Sequence, residues 1–412
     1  MEETARAQSS PLAIVRSGTV EILQEEELAE RLEASKKRGV PLKVKLGVDP
    51  SRPDLHIGHG VVLRKLRQFQ DLGHQVVLVI GDFTGRVGDP SGRTTSRPQL
   101  SEEEVDRNAA TYLAQVGRVL DPERTEIRRN SEWLGPLDLG RLIRLMSTFT
   151  VARMLEREDF ARRFAEERPI HLHEFAYPLM QGYDSVALNS DVELGGMDQK
   201  FNLIAARHVQ REWGQTPEVA ILLPLLVGLD GVEKMSKSLG NDVAIDLEPE
   251  EMFGRLMSVS DALILPYLEL AAGADPSTVA RTRAGLEDGS MHPRMAKAEM
   301  ARQVVAVYWG AEPAARAAEA FDQRFARRDL SGELPEVRVP APLLADGGAV
   351  RVVRLLVDTG LAPSAAEARR LIAAGAVELD DERPRAADAV WTPRDGAVAR
   401  VGRHRFARLR LP

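Results

Sequence analysis

The sequence predicts an α/β fold with a doubly wound, Rossmann-like parallel sheet, followed by an α-helical domain and a small α+β domain. Strand and helix patterns alternate from about residue 40 to residue 230. The pattern is then helical, without a convincing strand, to about residue 328, and a proline-rich stretch follows. We therefore predict domains at residues 1–242, 243–330 and 347–412, with a linker at residues 331–346.

Four short segments are predicted as strands of the sheet, with helical periodicity between them. Gln75–Ile80 is almost continuously apolar, which is typical of a parallel strand that is buried on both faces. The other predicted elements are strands at Lys43–Val48, Asp191–Leu194 and Val219–Leu223, and helices at Val61–Phe69 and Glu102–Leu120. Ligands of such sheets bind at the carboxyl ends of the strands, where residues 56–59 and 81–92 follow.

The composition excludes several classes of protein. No run approaches the ~20 apolar residues of a membrane span, so no membrane contact is expected. The chain has no cysteine, which excludes disulfides, thiolate zinc sites and cysteine nucleophiles and fits a reducing cytoplasm. The net charge of −7 argues against nucleic-acid binding over the whole surface, but residues 345–412 hold 12 Arg against 9 Asp or Glu. This charge distribution indicates a polyanion contact at one end.

The segment Leu55–His59 reads Leu-His-Ile-Gly-His and follows an extended loop, at the start of a predicted helix. A helix N-terminus offers unpaired N–H groups and partial positive charge, which suit phosphate. His56 and His59 are three residues apart and therefore share one helical face. Gly58 between them allows a flat base to approach the backbone closely. The alternative is a helix start with two surface histidines.

The segment Lys234–Ser238 reads Lys-Met-Ser-Lys-Ser. Its two lysines carry charge on flexible stems, and its small residues suit a mobile loop that closes over a triphosphate and stabilises charge as it develops. No base is needed if the nucleophile is a carboxylate. Together with Leu55–His59, this segment indicates a protein that binds ATP and attacks its α-phosphate. The alternative is a solvated basic loop.

Three polar residues of a predicted helix are candidates for reading a substrate side chain. Tyr177, Gln181 and Asp184 stand at positions i, i+4 and i+7, so they share one face. A polar trio on an otherwise apolar helix is unusual for core packing and favours a binding role. A solvated helix face is the alternative.

Further segments extend the pattern of the two signatures: Gly47–Pro50, Gly88–Gly92, Tyr177–Asp184 and Gly195–Gln199. The sequence of all these segments resembles the class I aminoacyl-tRNA synthetases, and among them the bacterial tyrosyl-tRNA synthetases. The resemblance covers nearly the whole chain, apart from the first ~20 residues. It implies a catalytic domain at residues 1–242 and an anticodon-recognition domain at residues 243–330.

The resemblance implies that the chain activates L-tyrosine with ATP to tyrosyl-adenylate and pyrophosphate, and then transfers tyrosine to the 3′ end of tRNA(Tyr). It assigns the γ-phosphate to Ser51 and His56, and the ribose to His59. Lys234 and Lys237 would clamp the pyrophosphate in the transition state, so these five residues are the candidate catalytic groups. The candidate ATP-binding residues are Asp49, Gly58, Gly196, Asp198, Lys234 and Lys237, with Asp198 at the ribose hydroxyls and Gly196 close to the sugar.

The same resemblance assigns the tyrosine pocket. Asp184 would accept the phenolic hydrogen, and Tyr177, Gln181 and Asp89 would hold the α-ammonium group. Gln199 would lie near the substrate carboxylate. A site built to hydrogen-bond a hydroxyl group rejects phenylalanine, because the buried carboxylate would otherwise remain unpaired.

Lys45 departs from the family pattern. Many members have a tyrosine two residues before the glycine of the Gly-x-Asp-Pro segment, and that tyrosine also contacts the phenol. Here Lys45 occupies the position. We expect specificity to depend on Asp184, and the long basic side chain of Lys45 to pair with a carboxylate that the sequence does not identify.

Residues 360–380 resemble the S4 RNA-binding fold. Ser364 predicts a helix start, Arg369 and Arg370 lie on that helix, and Gly375 ends it before a strand. Arginines on a helix beside a strand can hold RNA by its backbone and shape, so Arg369 and Arg370 are the candidate RNA-binding residues. The alternative is a helix with salt-bridged arginines.

Two other patterns are rejected. Gly88–Thr94 is similar to a P-loop, but three residues rather than four separate its glycines, and Arg93 stands where lysine is needed. His171 and His173 have no other plausible zinc ligands near them in the sequence.

Three other functions are considered. A tryptophanyl-tRNA synthetase shares both signatures but normally lacks an S4 tail, and Asp184 favours a phenol. An RNA-binding protein descended from a synthetase disagrees with the intact histidines and lysines of the signatures. A nucleotidylyltransferase would share only the His-x-Gly-His segment.

The resemblance also implies the partners. These are L-tyrosine, ATP and tRNA(Tyr), with Mg²⁺ bound to ATP and no dedicated protein metal site. By the same resemblance we expect a cytoplasmic homodimer.

Overall fold

The structure is a computed structural model that describes residues 10–50, 53–90, 101–323, 335–344, 349–380, 382–384, 386, 388–402 and 405–412. The chain divides into two compact units, Met1–Ala318 and Glu319–Pro412. The first unit holds a six-stranded sheet of order β1-β6-β5-β2-β3-β4. Its strands are β1 Glu21–Leu23, β2 Lys43–Val48, β3 Gln75–Ile80, β4 Thr125–Arg129, β5 Val192–Gly196 and β6 Val219–Leu223.

The predicted doubly wound sheet is confirmed. Neighbouring strands from β6 to β4 pair in parallel, and only β1 at the edge pairs antiparallel, with β6. The bounds of β2, β3 and β6 match the prediction, and β5 is shifted from Asp191–Leu194 to Val192–Gly196. The sequence patterns did not predict β1 and β4, since β1 is only three residues long and β4 reads Thr-Glu-Ile-Arg-Arg.

Helices cover both faces of the sheet, as expected for this fold class. The helix predicted at Glu102–Leu120 ends earlier, at Val116. The helices of the sheet region are Pro11–Arg16, Glu25–Arg38, Ile57–Asp71, Thr84–Val87, Glu102–Val116, Ser131–Leu134, Leu139–Met146, Val151–Met154, Glu158–Ala165, Leu172–Leu188 and Lys200–Glu212, with short 3₁₀ turns at Pro122–Arg124, Met197–Gln199 and Lys237–Leu239. Two of them carry the site, and we name Ile57–Asp71 the nucleotide helix and Leu172–Leu188 the pocket helix.

The segment after Pro249 is helical, as predicted. Its helices are Pro249–Leu256, Ile264–Pro266, Pro276–Glu287, Pro293–Trp309 and Ala311–Phe321, with a 3₁₀ turn at Asp261–Leu263 and a π-helical turn at Tyr267–Ala271. This segment packs closely against the nucleotide helix. A Cβ atom on Gly60 would lie 1.9 Å from the buried Tyr308 hydroxyl, so only glycine permits this approach. Arg64 also donates a hydrogen bond of 2.7 Å to the Leu270 carbonyl.

The second unit is a small α+β fold. Its four-stranded sheet has the order β7-β12-β11-β9, and β8 pairs with β10. Its elements are β7 Glu336–Arg338, a 3₁₀ turn at Ala341–Leu344, β8 Val350–Arg351, β9 Val377–Leu379, β10 Val390–Trp391, β11 Val398–Val401 and β12 Arg405–Arg410, with helices at Val352–Asp358 and Ala365–Ala373.

The segment predicted as a linker needs a correction. Its residues Glu336–Arg338 form strand β7, which pairs in parallel with β12 inside the C-terminal sheet. Val339 and Leu343 are buried in the hydrophobic core of the same unit. The prolines around them explain the error, because proline-rich sequence is also tolerated on a short edge strand.

The helix predicted around Arg369 is confirmed. It spans Ala365–Ala373, and the Ser364 hydroxyl accepts a hydrogen bond from the Glu367 backbone N–H at its start. Gly375 follows the helix with a φ of +64°, which favours glycine. Within the described residues of both units, no helix is long and apolar enough to cross a membrane.

Candidate active site

The candidate residues of the first unit gather at the carboxyl edge of the sheet. Asp49 follows β2 and accepts hydrogen bonds from the Tyr177 hydroxyl at 2.7 Å and from the Thr84 hydroxyl at 2.8 Å. The loop after β3 carries Asp89, and residues 196–199 follow β5. The parallel order of the strands therefore brings together segments that are distant in sequence.

The three predicted polar residues of the pocket helix each form a hydrogen bond with another element of the catalytic unit. Tyr177 binds Asp49, Gln181 donates to Glu193 Oε1 at 3.0 Å, and Asp184 accepts from the Trp133 indole at 2.7 Å. The spacing that suggested a shared face thus corresponds to three separate hydrogen bonds. This helix face is not a solvated one, because Tyr177 and Asp184 are buried.

Asp184 is a buried carboxylate with donors on both oxygens. The indole of Trp133 reaches Oδ1, and the amide of Asn130 reaches Oδ2 at 3.4 Å. Burial raises the pKa of Asp184 to about 7, although the charge of Lys45 and these two hydrogen bonds lower it. Such a carboxylate near neutral pH can accept one further hydrogen bond from a ligand hydroxyl.

Asp89 and Gln199 form one hydrogen-bonded cluster. The Gln199 amide donates to Asp89 Oδ2 at 2.9 Å, and its carbonyl oxygen accepts from Asn202 at 2.9 Å. The guanidinium of Arg157 lies 3.6 Å from Asp89 Oδ1 and 2.7 Å from Asp159. The predicted pair is therefore brought together, and Arg157 is an additional member that the sequence patterns did not indicate.

Lys45 has the carboxylate partner that the sequence did not identify. Its ammonium lies 2.6 Å from Glu193 Oε1, and both side chains are only 1 % exposed. The two residues are register partners on the parallel strands β2 and β5. Burial by itself lowers the pKa of Lys45, but the carboxylates of Glu193, Glu218 and Asp184 outweigh burial and raise it above its ordinary value. Lys45 is therefore an ammonium ion in the folded protein.

The two histidines lie together at the start of the nucleotide helix. Their ring centroids are 3.9 Å apart, and the His56 backbone N–H donates to His59 Nδ1 at 3.1 Å. Burial, with smaller effects of His59 and Lys234, lowers the pKa of His56 to about 2. Burial also lowers the pKa of His59 to about 4, although the nearby carboxylates of Asp198 and Asp242 oppose this. Both rings are therefore neutral, and His59 carries its hydrogen on Nε2.

The stretch that follows the lysine segment is tied to the histidine segment by backbone hydrogen bonds. The Ile57 N–H donates to the Val243 carbonyl at 2.9 Å, and the Ile245 N–H donates to the Leu55 carbonyl at 3.0 Å. Met235 is 5 % exposed, and its Cβ lies 3.7 Å from the position that a Cβ on Gly58 would take. Met235 is thus packed between the two signatures.

The side chains of Lys234 and Lys237 are partly exposed and paired. Lys234 pairs with Asp198 at 2.8 Å, and its side chain is 43 % exposed. Lys237 pairs with Asp54, and its side chain is 27 % exposed. Beside Asp198, a Cβ on Gly196 would lie 2.9 Å from Asp198 Oδ1 and from Leu225, so a larger residue there would displace both side chains.

Some predicted residues lie outside this description. Ser51, and residues 91–92 of the Gly88–Gly92 segment, fall outside the described residues. Arg369 and Arg370 are exposed on their helix in the second unit, where Arg370 pairs with Glu367 at 2.7 Å. Asp49 was assigned to ATP, but both of its oxygens are bound by Thr84 and Tyr177.

The sequence patterns missed several residues that shape the site. Asn130 and Trp133 follow β4, whose polar sequence concealed the strand and hence its carboxyl end. Glu193 stands inside β5 and would have been found by aligning β2 with β5 in parallel register. Thr84 lies three residues after Gly81, in the loop that the sequence predicts to contact ligands. No sequence motif identified Thr84 itself as a site residue.

Comparisons with known proteins agree with this geometry. Residues 36–326 match the family described as tRNA synthetases class I (W and Y). Residues 333–401 match the domain described as tyrosine–tRNA ligase SYY-like C-terminal domain. The chain is therefore a member of the class I tRNA synthetases that act with tryptophan or tyrosine.

The curated relatives narrow this class. The chain is 54 % identical over 398 residues to the tyrosine–tRNA ligase of Moorella thermoacetica. This alignment covers 97 % of this chain and 95 % of the relative. It is 51 % identical to the tyrosine–tRNA ligase of Geobacter sulfurreducens, and this alignment covers 97 % of this chain and 98 % of the relative. Within the class, the chain thus belongs with the tyrosine–tRNA ligases, and tyrosine–tRNA ligase activity is its function.

A solved structure supports the fold. A C-terminally truncated mitochondrial tyrosyl-tRNA synthetase of Aspergillus nidulans aligns with a TM-score of 0.64 at 21 % identity, covering 79 % of this chain and 96 % of that one. At this identity the likeness concerns the fold alone. It agrees with the mixed α/β architecture that the sequence predicts.

Proposed function

We propose that the carboxyl edge of the sheet binds tyrosine and ATP side by side and joins them. The carboxylate of tyrosine attacks the α-phosphorus in line, a new P–O bond forms, and pyrophosphate leaves with the electrons of the broken P–O bond. A ribose hydroxyl at the 3′ end of tRNA(Tyr) then attacks the carbonyl carbon of the adenylate, and AMP leaves. The observation that carries this proposal is the buried Asp184, held by Trp133 and Asn130.

Asp184 selects the phenol of tyrosine in this proposal. Its carboxylate already accepts two hydrogen bonds from fixed donors, and a phenolic O–H supplies a third. A phenylalanine ring offers no hydrogen bond. It would shield the Asp184 carboxylate from water without giving it a new partner, which costs free energy. Lys45 is engaged by Glu193, which supports the expectation that specificity depends on Asp184.

The other end of tyrosine binds near Tyr177, Gln181 and Asp89. The hydroxyl of Tyr177 and the amide of Gln181 each have a carboxylate as hydrogen-bond acceptor, so their remaining acceptor lone pairs suit an α-ammonium group. Asp89 adds a negative charge, and Gln199, bonded to Asp89, is close enough to serve the substrate carboxylate. Asp49 acts by holding Tyr177 in place.

Neutral histidines suit the ATP side. His59 offers Nε2–H as a donor, and His56 lies against it, so each ring can donate one hydrogen bond to a phosphate or ribose oxygen. Asp198 and the close backbone at Gly196 suit the ribose hydroxyls and the sugar. Ser51 stays a prediction for the γ-phosphate.

Lys234 and Lys237 supply positive charge as the pyrophosphate separates. Their present partners, Asp198 and Asp54, are partly exposed carboxylates, and such pairs contribute only about 0–1 kcal/mol. Phosphate oxygens with growing charge can therefore take their place. Because this gain is larger in the transition state than with bound ATP, it accelerates the reaction rather than only tightening binding.

Magnesium is expected to accompany ATP. Among the described residues, no cluster of three or more His, Asp or Glu side chains could hold a metal ion. Mg²⁺ usually keeps several waters and binds substrate phosphates with one or two carboxylates, so we propose that it arrives with ATP. When bound, it neutralises phosphate charge.

A homodimer is supported by an apolar surface. Leu139, Ile143, Met146 and Val151 belong to one continuous segment, and each side chain is between 45 % and 71 % exposed. A surface cluster of exposed apolar side chains is a candidate interface. We propose that a second copy of the chain covers it, and sedimentation equilibrium at twice the mass of one chain is the expected result.

The second unit is proposed to bind tRNA(Tyr) through an S4-like surface. Arg369 and Arg370 are exposed on a regularly capped helix that precedes strand β9, which supports contact with RNA phosphates. Replacing both by glutamate is expected to raise the KM for tRNA while adenylate formation stays unchanged. Apart from the linker, the predicted domain bounds stay predictions, as does the cytoplasmic location.

Tyrosine-dependent exchange of pyrophosphate into ATP tests the activation step directly. We expect exchange with tyrosine and none with tryptophan at the same concentration. The Asp184→Ala variant serves as the matched control, and it should lose exchange while it keeps ATP binding. An absence of exchange with tyrosine in the unmodified protein contradicts the proposal.

A further inference from the structure

Lys45 and Glu193 lie beneath the tyrosine pocket in an arrangement that the reaction itself does not use. Their ion pair of 2.6 Å is buried on two central parallel strands. Burying two charges is costly unless their geometry is good and their remaining hydrogen-bond positions are occupied. A pair at this place therefore requires a reason beyond packing.

The first part of that reason is a shared carboxylate oxygen. Glu193 Oε1 accepts from the Lys45 ammonium and also from the Gln181 amide at 3.0 Å. A carboxylate accepts but never donates, so it fixes which end of the Gln181 amide faces it. The amide nitrogen is committed to Glu193, and the amide oxygen is left as the acceptor.

The other oxygen of Glu193 has its own neighbour. Glu193 Oε2 is buried without a hydrogen-bond partner among the described residues. Glu218 stands just before β6 and accepts hydrogen bonds from Ser185, at 2.8 Å, and from Ser190. Burial, with the carboxylate of Glu193, raises the pKa of Glu218 well above its ordinary value. A proton on Glu218 supplies the donor that Glu193 Oε2 needs.

We infer that Lys45 is a positioning residue for the α-amino group of tyrosine, which holds Glu193 in place and through it orients the amide of Gln181. The inference rests on the proposed role of Gln181 in binding that group. Lys45 thus serves the amino end of the substrate here, whereas the residue found at this position in many relatives serves the phenol. Lys45 contacts neither tyrosine nor ATP in this proposal.

The key variant removes both charges together. Lys45→Met alone leaves Glu193 as a buried unpaired carboxylate, which risks unfolding the sheet. The double variant Lys45→Met with Glu193→Gln keeps both volumes and leaves no unpaired charge. It also raises the pKa of Asp184, because Lys45 lowers that pKa by more than Glu193 raises it, so the affinities are compared at mildly alkaline pH, where Asp184 is ionised. The glutamine at position 193 can either donate or accept, so it no longer orients Gln181.

Three ligands separate the two ends of the substrate. Tyrosine and tyramine carry the amino group, and 3-(4-hydroxyphenyl)propionate lacks it but keeps the phenol. Affinities are measured as inhibition constants against tyrosine-dependent exchange, or as a dissociation constant for tyrosine itself. We expect the double variant to bind tyrosine and tyramine at least roughly fivefold more weakly, the difference between a charge-assisted and a neutral hydrogen bond. Its affinity for the propionate is expected to stay within a factor of about two.

Other outcomes overturn the inference. An equal loss for all three ligands means that Lys45 acts on the phenol or on the whole pocket, and no loss for any means that it does not position Gln181. The unmodified protein tests the proposed function separately. If the unmodified protein binds the propionate as tightly as tyrosine, the proposed role of Gln181 at the amino group is wrong. That result contradicts the proposed function independently of Lys45. The KM for ATP should not change in the double variant, which distinguishes positioning from a general loss of structure.

Discussion

The proposed tyrosine side and the proposed phosphate side of the site are built differently. On the tyrosine side, Lys45 and Glu193 are each 1 % exposed, and Asp184 is 4 % exposed, with every charge paired or hydrogen-bonded. On the phosphate side, the charges of Lys234 and Lys237 are 43 % and 27 % exposed, and each pairs with a carboxylate at the surface.

This difference separates selection from catalysis. Removing one partner of a buried pair costs about 3–5 kcal/mol, so the polar groups of the tyrosine side keep one arrangement and wait for one ligand. Exposed pairs contribute about 0–1 kcal/mol and exchange partners readily. In the proposed function, the rigid side reads the amino acid, and the exchangeable side responds to charge as it develops on the phosphates.

Asp184→Asn is expected to give the largest effect. The asparagine keeps the volume but offers a neutral amide in place of the carboxylate, so the preference for tyrosine over phenylalanine in kcat/KM should collapse by two orders of magnitude or more. Tyrosyl-tRNA synthetases are themselves the standard case of such discrimination, at about 10⁵, a value known for the family rather than read from this structure. Exchange kinetics with both amino acids provide the measurement.

Trp133→Phe is the matched control for that substitution. It removes one hydrogen bond to Asp184 and leaves the carboxylate, so it should reduce the preference far less than Asp184→Asn. If Asp184→Asn keeps the preference of the unmodified protein, the pocket does not select tyrosine through this carboxylate.

Lys234→Ala is expected to lower the rate of adenylate formation by about 10² to 10³, the usual loss of one group that stabilises transition-state charge. The dissociation constant of tyrosine should stay the same, because the lysine lies on the phosphate side. Rapid-quench kinetics and equilibrium binding measure the two quantities. A loss of tyrosine affinity equal to the loss of rate would remove the distinction between the two sides.

The pH dependence should also differ between the sides. The charged groups that act on Asp184 are Lys45 and Glu193, and burial leaves its pKa at about 7. The ionised fraction of such a group rises about tenfold between pH 6 and pH 8, so the KM for tyrosine should fall by about that factor as pH rises. Burial lowers the pKa of His59 to about 4, so the histidines stay neutral throughout and the KM for ATP should change little.

The Asp184→Asn variant is the control for this profile. Its KM for tyrosine should be higher and independent of pH in the same range. A profile that persists in the variant assigns the titration to another group.

Asp54→Asn is expected to give the smallest effect. It releases Lys237 from a partly exposed partner. The free energy of such an ion pair is at most about 1 kcal/mol, which corresponds to a factor of about five in a binding constant. The KM for ATP should therefore fall by no more than about fivefold, and the KM for tyrosine should stay constant. A change larger than this means that the pair of Asp54 and Lys237 is a fixed part of the structure rather than an exchangeable one.

The sequence predicted most of the sheet because buried parallel strands have distinctive apolar runs. Gln75–Ile80 and Val219–Leu223 were predicted with their observed bounds. It missed β4, whose only apolar residue is Ile127, and with it Asn130 and Trp133. It also mistook β7 for a linker, because a three-residue edge strand beside prolines has no pattern of its own.

The sequence by itself determined which chemical groups are present and where each signature begins. The spacing of His56 and His59, and of Tyr177, Gln181 and Asp184, follows from helical geometry alone and needs no partner. Only the tertiary structure decided which groups meet. Lys45 and Glu193 are 148 positions apart in the chain and become neighbours through the parallel register of β2 and β5. Pairing across a sheet is set by the global fold, so no local pattern could reveal the partner of Lys45.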